Sequence, residues 1–212
     1  MMKRLNILFL LMALCAGMQA QKMRDCFAQM PDSLLELLTR NNRLDCIDFI
    51  ENNMPARVKN AFDNYVELKE LTSNYLRMEL SSADYLELAL LGSTDSLQYI
   101  CWVRTYKGPS EESIVRMYTS DWKEVSNREM LPTLERSGFW TKPDTVSAEQ
   151  FDEFKRWVGL PLIKVSLDAS KGTLTYALQV DEMDEADRKK VEPLLRAQVY
   201  RWNSSACRWE LE

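Results

Sequence analysis

Period-two alternation is the strongest folding constraint in this chain. Leu76, Met78 and Leu80 alternate with polar neighbours, and Leu86, Leu88 and Leu90 do so again beyond the turn Ser81-Ser82-Ala83-Asp84. Successive side chains of a strand point to opposite faces, so this pattern suits a sheet with one buried face and not a helix. After a turn at Gly92 to Asp95, Leu97 to Thr105 is apolar on both faces, as expected of a central strand. Gly108-Pro109-Ser110 turns the chain and Ile114 to Tyr118 returns it. The stretch reads as a four-strand antiparallel meander, preceded by a further strand around Val66 to Leu71.

Helical signals flank the meander. Pro31 to Leu38 offers Leu34, Leu35, Leu37 and Leu38, with Pro31 in a first turn and Ser33 three residues ahead of Glu36 as a capping box. Asn41-Asn42 breaks this helix, and a second carries Leu44, Ile47 and Ile50 to Asn52-Asn53. Residues 120–146, punctuated by Pro132, Gly138 and Pro143, are irregular. Ser147 with Gln150 then starts a helix whose apolar face is Phe151, Phe154, Trp157 and Val158. Ile163, Val165 and Leu167 pair with Leu174, Tyr176, Leu178 and Val180 across a loop ending at Gly172. Asp184 to Leu195 fits a short helix interrupted by Pro193, and Gln198–Trp202 with Cys207–Leu211 closes the chain as a hairpin.

The fold class is α+β, an antiparallel meander and hairpins with helices packed on one face. The expected organisation is a signal segment (1–20), a helix pair plus meander (21–122), an irregular connection (123–146) and a helix plus two hairpins (147–212) that can join 21–122 in one domain. Both halves run helix, hairpin, connection, hairpin. Leu80 to Leu90 also echoes Leu167 to Leu178. That echo raises an internal duplication, although hairpins produce such likeness readily.

The first twenty residues read as an export signal: Lys3 and Arg4, then the apolar run Leu5 to Ala13, then Ala16 and Gly17. The run is short of the ~20 residues of a membrane span. Cleavage after Ala20 leaves Gln21 first, with a cut after Gly17 as the second choice. A lipoprotein cut at Cys15 is disfavoured because Leu14 fills the place of the required small residue. The expected location is periplasmic or secreted. Without Lys3 and Arg4 the 27 basic residues become 25, against 32 acidic, a formal charge of −7. Such a balance disfavours nucleic acid and anionic membrane surfaces. Cys26, Cys46, Cys101 and Cys207 follow the signal with wide, irregular spacing and no C-x-x-C. Buried free thiols are the first expectation, and a Cys26–Cys46 disulfide the alternative.

The chain has no histidine. Serine and cysteine triads, H-E-x-x-H zinc sites and imidazole proton shuttles are therefore impossible within it. The acidic runs Asp152/Glu153 and Glu182/Asp184/Glu185 fall where solvated helix faces and first turns explain them. No G-x-S-x-G, Walker loop, G-x-G-x-x-G or calcium loop occurs. No catalytic residue, cofactor or metal is expected. Among six tryptophans, Trp102 and Trp157 are assigned to the core, and Trp202 and Trp209 to cross-strand packing. Trp140, in the irregular stretch, is the one candidate binding residue.

The exported start, the helix pair, the meander and the run Val199-Tyr200-Arg201-Trp202-Asn203 before a closing strand resemble the domain of unknown function 3256 family of Bacteroidales. The resemblance implies a Gram-negative envelope location and no assigned activity, so no functional residue transfers. The expected function is that of a non-catalytic envelope protein that binds a protein partner or itself. A carbohydrate-binding or carboxylate-type sugar-processing protein is the first alternative, an inhibitor-like module for an envelope enzyme the second. The sugar reading requires coplanar exposed tryptophans, or two carboxyls ~5–10 Å apart in a cleft.

Overall fold

Strands β1 (Arg57–Lys59), β2 (Tyr65–Leu71), β3 (Tyr75–Glu79), β4 (Asp84–Gly92), β5 (Gln98–Tyr106) and β6 (Glu112–Thr119) pair antiparallel in chain order as one six-stranded sheet. A computed structural model describes residues 22–212; the expected signal segment 1–20, with Cys15, lies outside the described residues. A second antiparallel sheet has the order β10-β9-β8-β7, built from β7 (Ile163–Asp168), β8 (Thr173–Leu178), β9 (Gln198–Asn203) and β10 (Arg208–Leu211). Helices α1 (Met23–Gln29), α2 (Arg40–Glu51), α3 (Asn127–Met130), α4 (Ala148–Trp157) and α5 (Glu185–Val191) complete the α+β fold.

Register divides the six-stranded sheet into two faces. Leu88 lies opposite Trp102 and Leu90 opposite Ile100, and these side chains join Leu76 and Met78 in a core closed by α1 and α2. The intervening Ala89, Leu91, Cys101 and Val103 face the second sheet and meet Val165, Leu167, Leu174, Tyr176 and Tyr200. The order is therefore helices, sheet, sheet, and β4 and β5 are covered on both faces. The echoed hairpins, β3–β4 and β7–β8, sit in sheets of six and four strands. Gly172 takes φ +63°, a value that glycine tolerates without steric cost, and the Asp168 carboxylate receives the backbone N–H groups of Ser170 and Lys171 in the same turn.

Several expectations need correction. The helix over Pro31 to Leu38 is a single 3-10 turn, Asp32–Leu34, and the N-terminal helix lies earlier, at Met23–Gln29. Asn42 starts a helix instead of breaking one. Its N–H donates to the Thr39 hydroxyl (3.4 Å) and its Oδ1 receives the Thr39 N–H (3.2 Å), a reciprocal cap. Arg43 pins the segment that precedes α2. Its buried guanidinium donates to the carbonyls of Phe27 (3.1 Å), Leu38 (2.7 Å) and Met30, and to Asp32 (2.8 Å). Holding those carbonyls from one point folds residues 27–38 around the arginine. The short edge strand β1 buries only Val58, too little to show a period. The irregular 123–146 stretch contains α3 and a 3-10 turn at Arg136–Phe139. The Ser147/Gln150 cap is present as read, at 3.2 and 3.3 Å.

Tryptophans pin the layers together. Trp122, at φ +65°, packs on Tyr118 and donates its indole N–H to the Cys26 carbonyl (2.8 Å), tying α1 to the β6 edge. Trp202 and Trp209 are cross-strand partners, edge to face at 5.5 Å. Trp157 departs from the core assignment: it is half-buried on α4, with the Lys190 ammonium 5.1 Å from its ring.

Candidate functional site

The helices leave part of their side of the sheet open. Beside α2, the 31–38 segment held by Arg43 roofs a groove of about 490 Å³ over β5 and β6, within the range of ligand sites. Val66, Leu80 and Tyr118 supply apolar floor. At the rim stand Leu37, Tyr106 and Ile114, which are 39%, 41% and 43% exposed, so the apolar floor continues into an apolar mouth.

The polar groups of the groove fall into two sets. Asp84 is buried and receives the Ser81 hydroxyl (2.5 Å) and two N–H groups of Arg104 (2.8 and 2.5 Å), so its charge is spent within the fold. Arg116 is exposed, 5.8 Å from the Trp102 ring, and enters no salt bridge among the described residues; Tyr118 and, more weakly, Glu124 favour its charged form. Trp102 is 6% exposed and its indole N–H has no hydrogen-bond partner among the described residues. A buried donor left unpaired costs free energy unless something accepts its proton. Glu36 is the other carboxylate lining the groove. With Asp84 neutralised by Arg104, the two do not form a free acid and base pair.

Trp140, the residue singled out from sequence, lies elsewhere. Its backbone bridges to Leu195, and its ring meets Phe151 edge to face at 6.1 Å. It is half-buried and lines a separate cavity with Phe139 and Ile163. Of the other tryptophans, Trp102, Trp122 and Trp209 are buried and Trp157 and Trp202 half-buried, so none is fully exposed.

A buried carboxylate escaped the sequence reading. Glu87 sits between Leu86 and Leu88 on β4, facing the second sheet, and accepts the Tyr75 hydroxyl (2.6 Å). Burial pushes its carboxyl above the usual range, although the Tyr75 hydroxyl, Arg77 (4.0 Å) and Lys164 pull the other way. The alternation of Leu86, Leu88 and Leu90 had marked Glu87 for a solvated face. The second sheet covers that face.

Cys26, Cys46 and Cys101 are buried and unpaired, and Cys207 is half-buried and unpaired, so the Cys26–Cys46 disulfide is not formed. Burial pushes the Cys26 and Cys46 thiols up to about 12 and raises that of Cys101 further. Unionised thiols are poor nucleophiles. Among the described residues no cluster of three or more cysteines or carboxylates could hold a metal ion, and no helix is long and apolar enough to cross a membrane.

A family model for proteins of unknown function, DUF3256, matches residues 15–207. This chain belongs to the DUF3256 family. A comparison with curated proteins finds no match. Among solved structures, the DUF3256 chain is similar to a domain of an uncharacterized protein from Porphyromonas gingivalis W83, with 23% identity and a TM-score of 0.74. The likeness covers 91% of this chain and 98% of that one, and it speaks for the fold alone.

Proposed function

We propose that this DUF3256 protein is exported to the cell envelope and acts there, without catalysis, by binding a protein partner in the groove over β5 and β6. The apolar rim of Leu37, Tyr106 and Ile114 carries the proposal, because a rim exposed beside a buried floor stabilises a partner's side chains on entry. Arg116 adds a cation for a carboxylate beside those side chains. The segment 1–20, with its charged start and short apolar run, supports export. Absence of histidine, the Arg104-bound Asp84 and unionised thiols support a non-catalytic role.

A photo-crosslinker at Ile114 or Leu37, in cells of a Bacteroidales host, tests the groove. One partner should be captured from these positions and not from Lys171 on the β7–β8 turn, and Arg116→Glu should reduce the yield. Equal capture from Lys171 would remove the groove from consideration. Fractionation with N-terminal sequencing tests export, the expected first residue being Gln21.

A further inference from the structure

The cavity beside Trp140 is a different kind of space. It lies between the 3-10 turn Arg136–Phe139, the residues just after α4, and the ends of β7 and β8. Its volume is about 500 Å³, and Phe139, Trp140, Val158, Pro161, Ile163 and Leu178 give it apolar walls. The only charged side chains lining it are Arg136 and Lys155, with the Ser137 hydroxyl beside them. No carboxylate lines it, although the chain as a whole is acidic with a formal charge of −5. Arg136 enters no ion pair among the described residues. Lys155 reaches Asp152 only at 3.4 Å, and that carboxylate is 70% exposed, so the pairing is weak and readily exchanged. Its ammonium also rests 4.2 Å from the Phe151 ring, a contact that restrains the side chain beside the cavity it lines.

We propose that this cavity binds a small amphipathic carboxylate, its apolar chain among the walls and its head group on Arg136 and Lys155. The apolar volume calls for a ligand that buries methylenes, each of which tightens binding roughly threefold to fourfold until the space is full. The two cations select an anionic head over a neutral or cationic one. Charge-assisted hydrogen bonds from arginine and lysine to a carboxylate are stronger than those to a hydroxyl. The site is separate from the groove and does not depend on it.

The test is titration of the purified protein with dodecanoate below its micelle concentration, read by calorimetry and by tryptophan fluorescence through Trp140. One saturable site per chain is expected, with octanoate weaker than decanoate and decanoate weaker than dodecanoate. Dodecanol should bind at least about tenfold more weakly, and Arg136→Gln or Lys155→Gln should each weaken dodecanoate about tenfold while leaving dodecanol unchanged. Leu178→Trp, which fills the cavity, should abolish binding with the thermal transition retained; if it unfolds the protein, the two charge variants decide. No saturable binding, equal binding of dodecanol and dodecanoate, or indifference to both charge variants would overturn the proposal. Tighter binding of a short peptide ending in leucine would overturn it too.

Discussion

The two faces of the six-stranded sheet each bury an ionisable side chain, and they treat it in opposite ways. On the helix side Arg43 meets four acceptors, three of them backbone carbonyls, of which Phe27 also accepts the Met30 N–H (3.3 Å). On the sheet side Glu87 has one hydroxyl at 2.6 Å and a guanidinium at 4.0 Å, and its carboxyl is pushed upward. A buried charge strengthens a fold when its hydrogen bonds are complete, and leaves it pH-sensitive when desolvation dominates. Arg43 organises the groove's roof, whereas Glu87 sits in the seam between the sheets.

Arg43→Met should have the largest effect, a loss of about 3–5 kcal/mol in urea unfolding, because it leaves the Leu38 and Met30 carbonyls without their donor and takes one of two donors from Phe27. A loss under about 1 kcal/mol would mean that packing of Leu35 and Leu38 alone holds the roof. Trp122→Phe removes the donor to the Cys26 carbonyl as well as ring contact, and should cost about 2 kcal/mol on the same scale. Glu87→Gln sharpens the comparison through pH. Because the folded carboxyl titrates above its ordinary value, the stability it lends is complete below the usual glutamate range and drains away as pH rises through the raised value. The wild-type protein should therefore lose stability relative to Glu87→Gln over that interval, with a slope approaching about 1.4 kcal/mol per pH unit. A pH-independent difference would show that Arg77 and Lys164 fully compensate the burial. Thr39→Ala should be mildest, about 1 kcal/mol, through loss of the α2 cap, and should act on the helix side alone.

What could be read from sequence follows a physical line. Strands β2 to β10 are visible because each runs long enough to alternate or lies beside a turn residue such as Gly172 or Asn203. The leucines at 34, 35, 37 and 38 imitate a helix, since periodicity cannot register a guanidinium that pins the two ends of the segment at Met30, Asp32 and Leu38. Arg43 itself gave a signal: it lies four residues before Ile47 on the buried stripe of α2. Glu87 gave none, because only the second sheet decides that its face is covered. Trp140, the candidate binding residue, is half-buried. It lines a cavity with Arg136 from the 3-10 turn just before it, and Lys155 joins them only through the packing of α4. The groove is harder still, since Leu37 reaches it from outside the β5–β6 hairpin that carries Tyr106 and Ile114.

The three buried thiols carry a consequence for how such a chain matures. A disulfide forms through attack by a thiolate, and in the folded protein Cys26, Cys46 and Cys101 are sealed from solvent and strongly protonated. The folded state itself shields these three thiols from oxidation, wherever the chain resides. Oxidation of these three would therefore require the cores that bury them to open first.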